Sequence, residues 1–300
     1  MPPVPFPADF RPDYCPDPQA DGAPAGDRLR PLADLPPARL ATLTGVLTDI
    51  DDTLTTEGAI TADALQALAD LKHAGLHVIA ITGRPVGWSE PFAKTWPVDA
   101  IVAENGSVAL LGDKSCNSPT KNATSSLLKI YFKNTILRSN NYSKTLAVTA
   151  RILRELPQAR VSQDSAGRET DMAIDHSEVH YLSEADIAQV VQIMQQEGMN
   201  ATVSSIHING WLGQHNKLEG ARWIVQELLG RDLNLELDRW AYVGDSTNDQ
   251  LMFEAFANSF GVANIQRFVP QLAVFPRYIT AGERGAGFAE VTRALLVGLA

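Results

Sequence analysis

The feature that most constrains the fold is a repeated alternation of short apolar runs with amphipathic stretches of helical period. Residues 45–49, 77–82 and 100–105 are predicted strands, each built on a short apolar run, and residues 61–74 carry a helical pattern between the first two. Strands that alternate with helices pair in parallel, and the helices then cover the faces of the sheet. The sequence therefore predicts an α/β fold built on a parallel sheet.

The helix over residues 61–74 has recognisable ends. Thr61 carries a side-chain oxygen suited to an N-cap, and Gly75 follows the last turn, where a left-handed residue commonly stops a helix. Leu65, Leu68 and Leu71 recur at helical spacing, so all three are expected to face the core.

Two blocks of the chain, residues 41–107 and 212–300, are predicted to form one core. Between them, residues 108–211 change to a pattern of helix, strand, strand, helix and strand, which predicts a separate α+β insertion. Its clearer strands are residues 170–175 and 202–208. The second core block is predicted to contain a helix over 216–229, a strand over 240–245, a helix over 249–256, a short strand near Gly261 and a C-terminal helix through Leu296.

Two segments differ in composition from the rest. Residues 1–40 hold eleven of the eighteen prolines, and proline at this density predicts a disordered or extended tail. Residues 113–144 hold five of the eight lysines and five of the thirteen asparagines. A species-specific surface loop, a foreign segment and a shifted reading frame remain open explanations for this second segment.

Charge and composition exclude several classes of function. The net charge of −10 disfavours a general nucleic-acid binder, because such proteins cluster Lys and Arg. No apolar run is long enough to span a bilayer, which argues against a membrane partner. The two cysteines, Cys15 and Cys116, indicate neither a disulfide framework nor a zinc site. With no secretory signal pattern at the N-terminus, we expect a cytoplasmic protein.

An acidic cluster, Thr48-Asp49-Ile50-Asp51-Asp52-Thr53, directly follows the first apolar run. Where a strand opens into a loop, Asp49 and Asp51 can turn the same way at the carboxyl edge of the sheet. Paired carboxylates there need a cation or a proton. Taken alone, the cluster is equally consistent with a solvated acidic turn.

A second acidic cluster, Gly244-Asp245-Ser246-Thr247-Asn248-Asp249, also follows an apolar run. Asp245 and Asp249 bracket a turn into a helix, so both can face one point. Carboxylate and amide oxygens from two strand ends form the hard oxygen site that Mg²⁺ prefers. The coincidence of two such clusters favours a magnesium site.

The order of the motifs resembles that of the haloacid dehalogenase superfamily of phosphatases, and specifically its type IIB members. The resemblance lies in Asp49-x-Asp51-x-Thr53-Leu54, Ile81-Thr82-Gly83-Arg84-Pro85, Lys217 and the second acidic cluster, and it spans residues 44–107 and about 212–265. Glu104-Asn105-Gly106 is similar to a motif of the sugar-phosphate phosphatases, such as those for sucrose phosphate and mannosyl-phosphoglycerate. The resemblance implies a Rossmann-like core with an α+β cap inserted between the second and third motifs.

The resemblance also implies roles for four residues. Asp49 is expected to be the nucleophile that takes up phosphate, and Asp51 the general acid and then the general base. Thr82 is expected to bind the phosphoryl group, and Lys217 to steady the nucleophile. On residue type alone, β-propensity at a strand end is the better explanation for Thr82, and a lysine near a helix start, such as Lys217, is usually solvent-facing.

A metal site and a binding site complete the expectation. The resemblance implies Mg²⁺ held by the Asp49 carboxylate, the Asp51 carbonyl and Asp245, with Asn248 and Asp249 in or near its coordination shell. Phosphate or substrate contacts are expected from Thr53, Gly83, Arg84 and Asn105 in the core and from Arg168, His207 and Asn209 in the insertion. Ser205, His207 and Asn209 would alternate onto one face of the predicted strand, where an ordinary wet edge strand is nearly as plausible.

These features predict a magnesium-dependent hydrolase of small phosphomonoesters, acting on a sugar phosphate or glycosyl phosphate. The expected partner is the small phosphorylated substrate. A sugar phosphomutase is one alternative. A catalytically weak protein that keeps the fold for binding or regulation is the other.

Overall fold

The computed structural model describes residues 29–36, 40–112 and 127–299. Cys15, Cys116, most of the predicted tail and residues 113–126 of the lysine-rich segment lie outside this range. The helices in it are α1 (Ala62–His73), α2 (Val86–Thr95), α3 (Thr135–Glu155), α4 (Glu184–Gln196), α5 (Lys217–Leu229), α6 (Gln250–Ala255) and α7 (Arg284–Leu299).

Most strands pair into one large sheet and a second, smaller one. The strands are β1 (Arg30–Pro31), β2 (Gly45–Thr48), β3 (Thr55–Thr56), β4 (Ala59–Ile60), β5 (His77–Ile81), β6 (Ala100–Ala103), β7 (Val108–Gly112), β8 (Leu127–Tyr131), β9 (Arg160–Val161), β10 (Asp171–Asp175), β11 (Asn200–Val203), β12 (His207–Trp211), β13 (Trp240–Gly244), β14 (Asn258–Gly261) and β15 (Tyr278–Ile279).

The nine-stranded sheet has the order β1-β15-β14-β13-β2-β5-β6-β7-β8. In this sheet order, every pair of neighbouring strands from β1 across to β6 is parallel. Strands β7 and β8 then add an antiparallel edge. The α/β fold with a large parallel sheet is therefore confirmed. Two details differ from the prediction. The sheet continues past residue 107, and Arg30–Pro31, placed in the tail, pair with Tyr278–Ile279.

Helices bury both faces of this sheet. Val46 and Val78 pack on one face in a cluster with α1, α2 and α7, while Leu47 and Ile79 pack on the other with α5 and α6. Because neighbouring residues of a strand point to opposite faces, a strand covered on both sides must be apolar throughout. This explains the continuous apolar runs in the sequence.

Helix α1 begins and ends as predicted. The Thr61 side chain accepts a hydrogen bond from the Ala64 amide, and Gly75 adopts φ +84° after the last turn. Leu68 and Leu71 are buried, but the expectation for Leu65 is wrong, since 39% of it is exposed. The buried face turns toward Ala64 and Ala67 instead, because α7 packs closely on α1 and small residues allow that approach.

The smaller sheet, in the order β11-β12-β10-β9, is antiparallel throughout and packs against α3 and α4. We call residues 135–211, which contain this sheet and both helices, the small-sheet unit. The prediction of one strand over 202–208 is wrong, because the chain reverses at Ser204-Ser205-Ile206 and β11 and β12 form a hairpin. His207 and Asn209 share a strand, whereas Ser205 lies in the turn.

Candidate active site

Three strand ends meet at one edge of the large sheet. Asp49 follows β2, Asp245 follows β13 and Thr82 follows β5, and these three strands are parallel neighbours. The Asp49 amide donates to the Val243 carbonyl at 2.8 Å, which extends the ladder by one residue beyond the strand. The geometry brings together motifs that are up to about two hundred residues apart in the sequence.

Lys217 links the two acidic clusters. Its Nζ lies 2.6 Å from Asp49 Oδ1 and 2.6 Å from Asp249 Oδ1, and the residue is only 3% exposed. Asn216 caps α5, so Lys217 is the first residue of a helix whose start is fixed. Burial alone would lower the pKa of Lys217, but the carboxylates of Asp249 and Asp49 outweigh it and raise the pKa above its ordinary value.

Asp249 has both carboxylate oxygens engaged. Oδ1 accepts from Lys217 and from the Tyr242 hydroxyl at 2.5 Å, and Oδ2 accepts from the amides of Asp245 and Ser246 at 2.9 and 3.1 Å. A carboxylate with four donors fixes the loop that carries Asp245. Asp249 therefore orients its neighbours.

Asp245 is buried and differs from Asp249 in its partners. Oδ2 accepts from the Asn264 side chain at 3.1 Å and lies 3.4 Å from an Arg267 nitrogen. Oδ1 is buried and has no hydrogen-bond partner among the described residues. An unpaired buried carboxylate oxygen is costly unless a cation or a proton approaches it.

Asp49, Asp245 and Asp249 each offer an oxygen within 4.8 Å of the others, and all three residues are buried. Burial, opposed by Lys217 and reinforced by the charges of Asp249 and Asp51, raises the pKa of Asp49 to about 7. Burial and the charges of Asp49 and Asp249 also raise the pKa of Asp245 well above its ordinary value. The site thus holds more negative charge than Lys217 alone can balance.

Asp51 lies at the same edge, beside Arg84 and Thr82. Arg84 Nε donates to Asp51 Oδ1 at 2.9 Å, and the Thr82 hydroxyl lies 3.5 Å from Asp51 Oδ2. The Thr82 hydroxyl also accepts from the Arg84 amide at 2.9 Å. Arg84 and Thr82, both from the second motif, therefore hold Asp51, the second carboxylate of the first motif.

The Arg84 guanidinium reaches from the large sheet to the small-sheet unit. One terminal nitrogen lies 3.0 Å from Asp164 Oδ2 and the other 2.7 Å from Glu178 Oε1. Glu178 Oε2 in turn lies 2.8 Å from His207 Nε2. With the guanidinium also stacked over Trp88 and only 5% of the residue exposed, Arg84 is held on every side.

A small cavity lies between the strand ends and the β11–β12 hairpin. The hairpin is anchored over it by the Thr247 hydroxyl, which donates to the Val203 carbonyl at 2.6 Å. The cavity is lined by Asp49, Asp51, Gly83, Arg84, Ser204, Ser205, Ile206, His207, Asn209, Ser246 and Asn248.

The chain matches known proteins in sequence and in fold. The sequence profile of the haloacid dehalogenase-like hydrolases matches residues 46–281. The chain belongs to this family. A protein of Streptococcus pyogenes serotype M6, named as a candidate phosphatase, is 21% identical over 266 residues, covering 83% of this chain and 96% of its own.

Solved structures agree on the fold of this hydrolase. A Thermoplasma acidophilum protein has a TM-score of 0.62 at 16% identity, over 85% of this chain and 99% of its own. The sucrose-phosphatase of Synechocystis sp., solved with sucrose and phosphate, has a TM-score of 0.57 at 15% identity, over 84% and 98%. A sugar phosphatase described as subclass IIB of the superfamily has a TM-score of 0.58 at 13% identity, over 85% and 99%. The predicted family and its type IIB fold are confirmed.

The predicted binding residues of the hydrolase divide into two groups. Gly83, Arg84, His207 and Asn209 line the cavity, and the Asn209 side-chain oxygen is buried without a partner among the described residues. A Cβ on Gly83 would lie 3.0 Å from Asn209 Nδ2, so glycine permits this close approach of the small-sheet unit.

The other three predicted binding residues are not among those that line the cavity. Asn105 donates to Asp171 Oδ2 at 3.2 Å, and Arg168 donates to the Gly83 carbonyl at 3.0 Å and to Asp171 Oδ1 at 2.8 Å. The Asn105–Asp171 and Arg168–Gly83 contacts join the large sheet to the small-sheet unit. The Thr53 hydroxyl is buried and has no partner among the described residues.

Sequence reasoning missed several residues of this site. Asp164 and Glu178 hold Arg84, Tyr242 holds Asp249, and Asn264 holds Asp245. Asn264 had a usable signal, since it follows β14, the next parallel strand, at the same edge. Asp164 and Glu178 had none, because they lie in a short 3₁₀ helix and a loop, 80 and 94 residues from Arg84.

The acidic site of this hydrolase fits Mg²⁺. The carboxylates of Asp49 and Asp245 are hard oxygen donors, and the unpaired Asp245 Oδ1 is buried beside Asp49.

No helix within the described part of the chain is both long enough and apolar enough to cross a membrane. The cytoplasmic location stays a prediction.

Proposed function

We propose that the chain is a magnesium-dependent phosphomonoester hydrolase that works through an aspartyl-phosphate on Asp49. The observation that carries this proposal is the position of Asp49, whose Oδ1 is held by Lys217 while the residue lines the cavity beside Asp51. A carboxylate fixed through one oxygen can present the other to an incoming phosphorus atom.

In the first step, Asp49 Oδ2 attacks the phosphorus, and the bond from phosphorus to the ester oxygen breaks. Asp51 gives its proton to the departing alcohol oxygen, so the alcohol leaves neutral. The Thr82 hydroxyl, the Gly83 amide and the Lys217 ammonium are the donors placed to stabilise the phosphoryl oxygens.

In the second step, Asp51 acts as a carboxylate and takes a proton from water. The water oxygen attacks the phosphorus, the bond from phosphorus to Asp49 breaks, and inorganic phosphate leaves. Asp51 is then protonated and Asp49 is free, which restores the starting state.

When bound, Mg²⁺ would neutralise charge on the phosphoryl oxygens and on the acidic residues. Asp49, Asp245 and the Asp51 carbonyl would hold it, with Asn248 nearby. Asp249, also predicted in or near the coordination shell, is better suited to a supporting role, because both its oxygens already accept two hydrogen bonds each.

The substrate that fits best is a small phosphorylated polyol, such as a sugar phosphate. The cavity is small and polar, and the hairpin side presents the Ser204 and Ser205 hydroxyls, His207 and the unpaired Asn209 oxygen. Such groups match sugar hydroxyls. We assign the small-sheet unit the role of the specificity cap. This cap begins after β8, whereas the sequence analysis placed its start at residue 108.

The test is phosphate release from a panel of sugar phosphates with Mg²⁺ and with a chelator. Asp49→Asn should abolish release while the folded state persists, and Asp34→Asn, which changes a carboxylate in the N-terminal segment, is the matched control. Full activity in Asp49→Asn, or activity that the chelator does not change, would contradict the mechanism. Isomerised sugar phosphate in place of inorganic phosphate would instead identify a phosphomutase.

A further inference from the structure

A second small cavity, open to solvent on one side, lies where the chain passes between the large sheet and the small-sheet unit. Two connecting segments meet there. Residues 132–134 lead from β8 to α3, and residues 212–216 lead from β12 back to α5. The cavity is outside the active site and shares none of its lining residues.

The cavity is basic in a chain whose net charge is −10. Lys133 and Arg138 line it, and no carboxylate does. Within the described ranges, Lys133 forms no hydrogen bond or ion pair, and Arg138 Nε is buried without an acceptor. The carboxylate of Glu169 is held by Lys129 and Tyr131 at 2.8 and 2.7 Å and also lies near the Arg138 charge, while the Arg138 guanidinium stacks over the Tyr131 ring.

His215 forms the inner wall of the cavity. It is 3% exposed, and neither ring nitrogen has a partner within the described part of the chain. Burial and the nearby Lys133 charge lower the pKa of His215 to about 4, so at neutral pH it offers one N–H donor. Leaving a buried polar group unpaired is costly, and a ligand that accepts a hydrogen bond from the ring would remove this cost.

Gly213 keeps this space open. Its φ of +122° strongly favours glycine, and a Cβ there would lie 2.5 Å from Lys133 Nζ and 3.4 Å from His215 Nδ1. Asn141, from α3, ties the two segments together by donating to the Leu212 carbonyl at 3.1 Å. The basic groups of both segments therefore converge on one small space.

We infer that this cavity is an oxyanion-binding site, which takes inorganic phosphate or the phosphoryl group of a metabolite. Lys133 and Arg138 supply charge from one connecting segment and the start of α3, and His215 supplies an N–H from the other segment. An ion bound there joins both segments and favours one orientation of the small-sheet unit over the large sheet. The site uses none of the residues proposed for hydrolysis, so this inference can be tested independently of the proposed function.

The experiment follows the His215 ring resonances by NMR while inorganic phosphate is added with a chelator present and ionic strength held constant. His215→Gln assigns the signals. In the unsubstituted protein the His215 signals should shift and saturate, with a dissociation constant of millimolar order or below. Lys133→Gln and Arg138→Gln should each weaken this response about tenfold or more, because each removes a charge-assisted hydrogen bond.

Lys144→Gln is the matched control, because it removes an exposed lysine from the same helix as Arg138 and should leave the response unchanged. A titration with a hexose 6-phosphate distinguishes the two sources of the oxyanion, since the tighter of the two ligands identifies the physiological one. The inference is overturned if His215 does not respond, which would indicate a cavity filled by water. It is also overturned if the response persists in Lys133→Gln, which would indicate a signal transmitted from phosphate near Lys217.

Discussion

Arg84 Nε donates to Asp51 Oδ1 at 2.9 Å, and through this bond the proposed general acid is tied to the small-sheet unit. The remaining nitrogens of the same guanidinium hold Asp164 and Glu178. The same guanidinium thus holds Asp51 in place and contacts the small-sheet unit. Oδ1 is engaged by Arg84, which leaves Oδ2, beside Thr82, to face the leaving group.

Arg84→Lys should lower kcat/KM roughly ten- to a hundredfold, because a lysine cannot hold three carboxylates at once and each lost charged hydrogen bond costs about 1.5–3 kcal/mol. Steady-state phosphate release measures the effect. Arg151→Lys is the control, since Arg151 also bonds several acceptors, Glu155, Glu197 and Gln196, but lies outside the cavity. Equal activity in both variants would contradict the role of Arg84.

Asp51→Asn should lower kcat/KM for an alkyl phosphate by about 10²–10⁴, because the alcohol must then leave without a proton. For p-nitrophenyl phosphate the loss should be far smaller, since nitrophenolate leaves readily as an anion. Rapid-mixing experiments should show a burst of one equivalent of nitrophenolate, as the aspartyl-phosphate accumulates without a base to hydrolyse it. Similar losses for the two substrates would assign Asp51 a role other than proton transfer.

Asp245→Asn and Asp249→Asn should differ in their effect on the stability of the metal-free protein. Asp245→Asn removes charge from an over-acidic site and should raise or preserve the melting temperature. Asp249→Asn breaks a buried ion pair with Lys217 and should lower the free energy of unfolding by about 3 kcal/mol or more.

Calorimetry with and without Mg²⁺ separates their roles in metal binding. The unsubstituted protein should gain stability from Mg²⁺, because an ion that binds only the folded state stabilises it. Asp245→Asn should lose this gain. A full gain in Asp245→Asn would show that Asp245 does not hold the ion.

Stability should fall in acid through His215. Its pKa is lowered to about 4 by burial and by Lys133, while in the unfolded chain the pKa lies near the ordinary histidine value of 6.5. Between these values the unfolded state binds more protons, so the stabilisation is present above about pH 6.5 and is lost as pH falls toward 4. His176, whose pKa burial also lowers, adds to the effect.

Denaturant unfolding over this pH range measures the dependence. His215→Gln should flatten it, whereas His73→Gln, at an exposed position near the end of α1, should leave it unchanged. An identical slope in His215→Gln and the unsubstituted protein would show that His215 does not titrate in this way.

Much of the core was predictable because the decisive contacts obey local rules. Thr61 and Gly75 set the ends of α1 through their own backbone chemistry. Asp49, Thr82 and Asp245 could be placed together from the sequence because each follows an apolar strand, and parallel strands end at a common edge.

The small-sheet unit was less predictable. The run over 202–208 reads as one strand, yet it contains a turn. Only once the hairpin has folded back does the Ser204 hydroxyl pair with the His207 amide and carbonyl, and the Ser205 carbonyl accept from the Ser177 hydroxyl. Leu65 is exposed for a similar reason, since α7 decides which side of α1 is covered.

By itself, the sequence determined the alternation of parallel strands and helices in the core and the chemistry placed at the strand ends, because both depend on neighbours along the chain. Only the tertiary structure decided what surrounds Asp51. Arg84 meets Asp164 and Glu178 across 80 and 94 residues, and no periodicity links them. The same holds for Lys133 and His215, since convergence of two connecting segments depends on how the whole small-sheet unit packs on the large sheet.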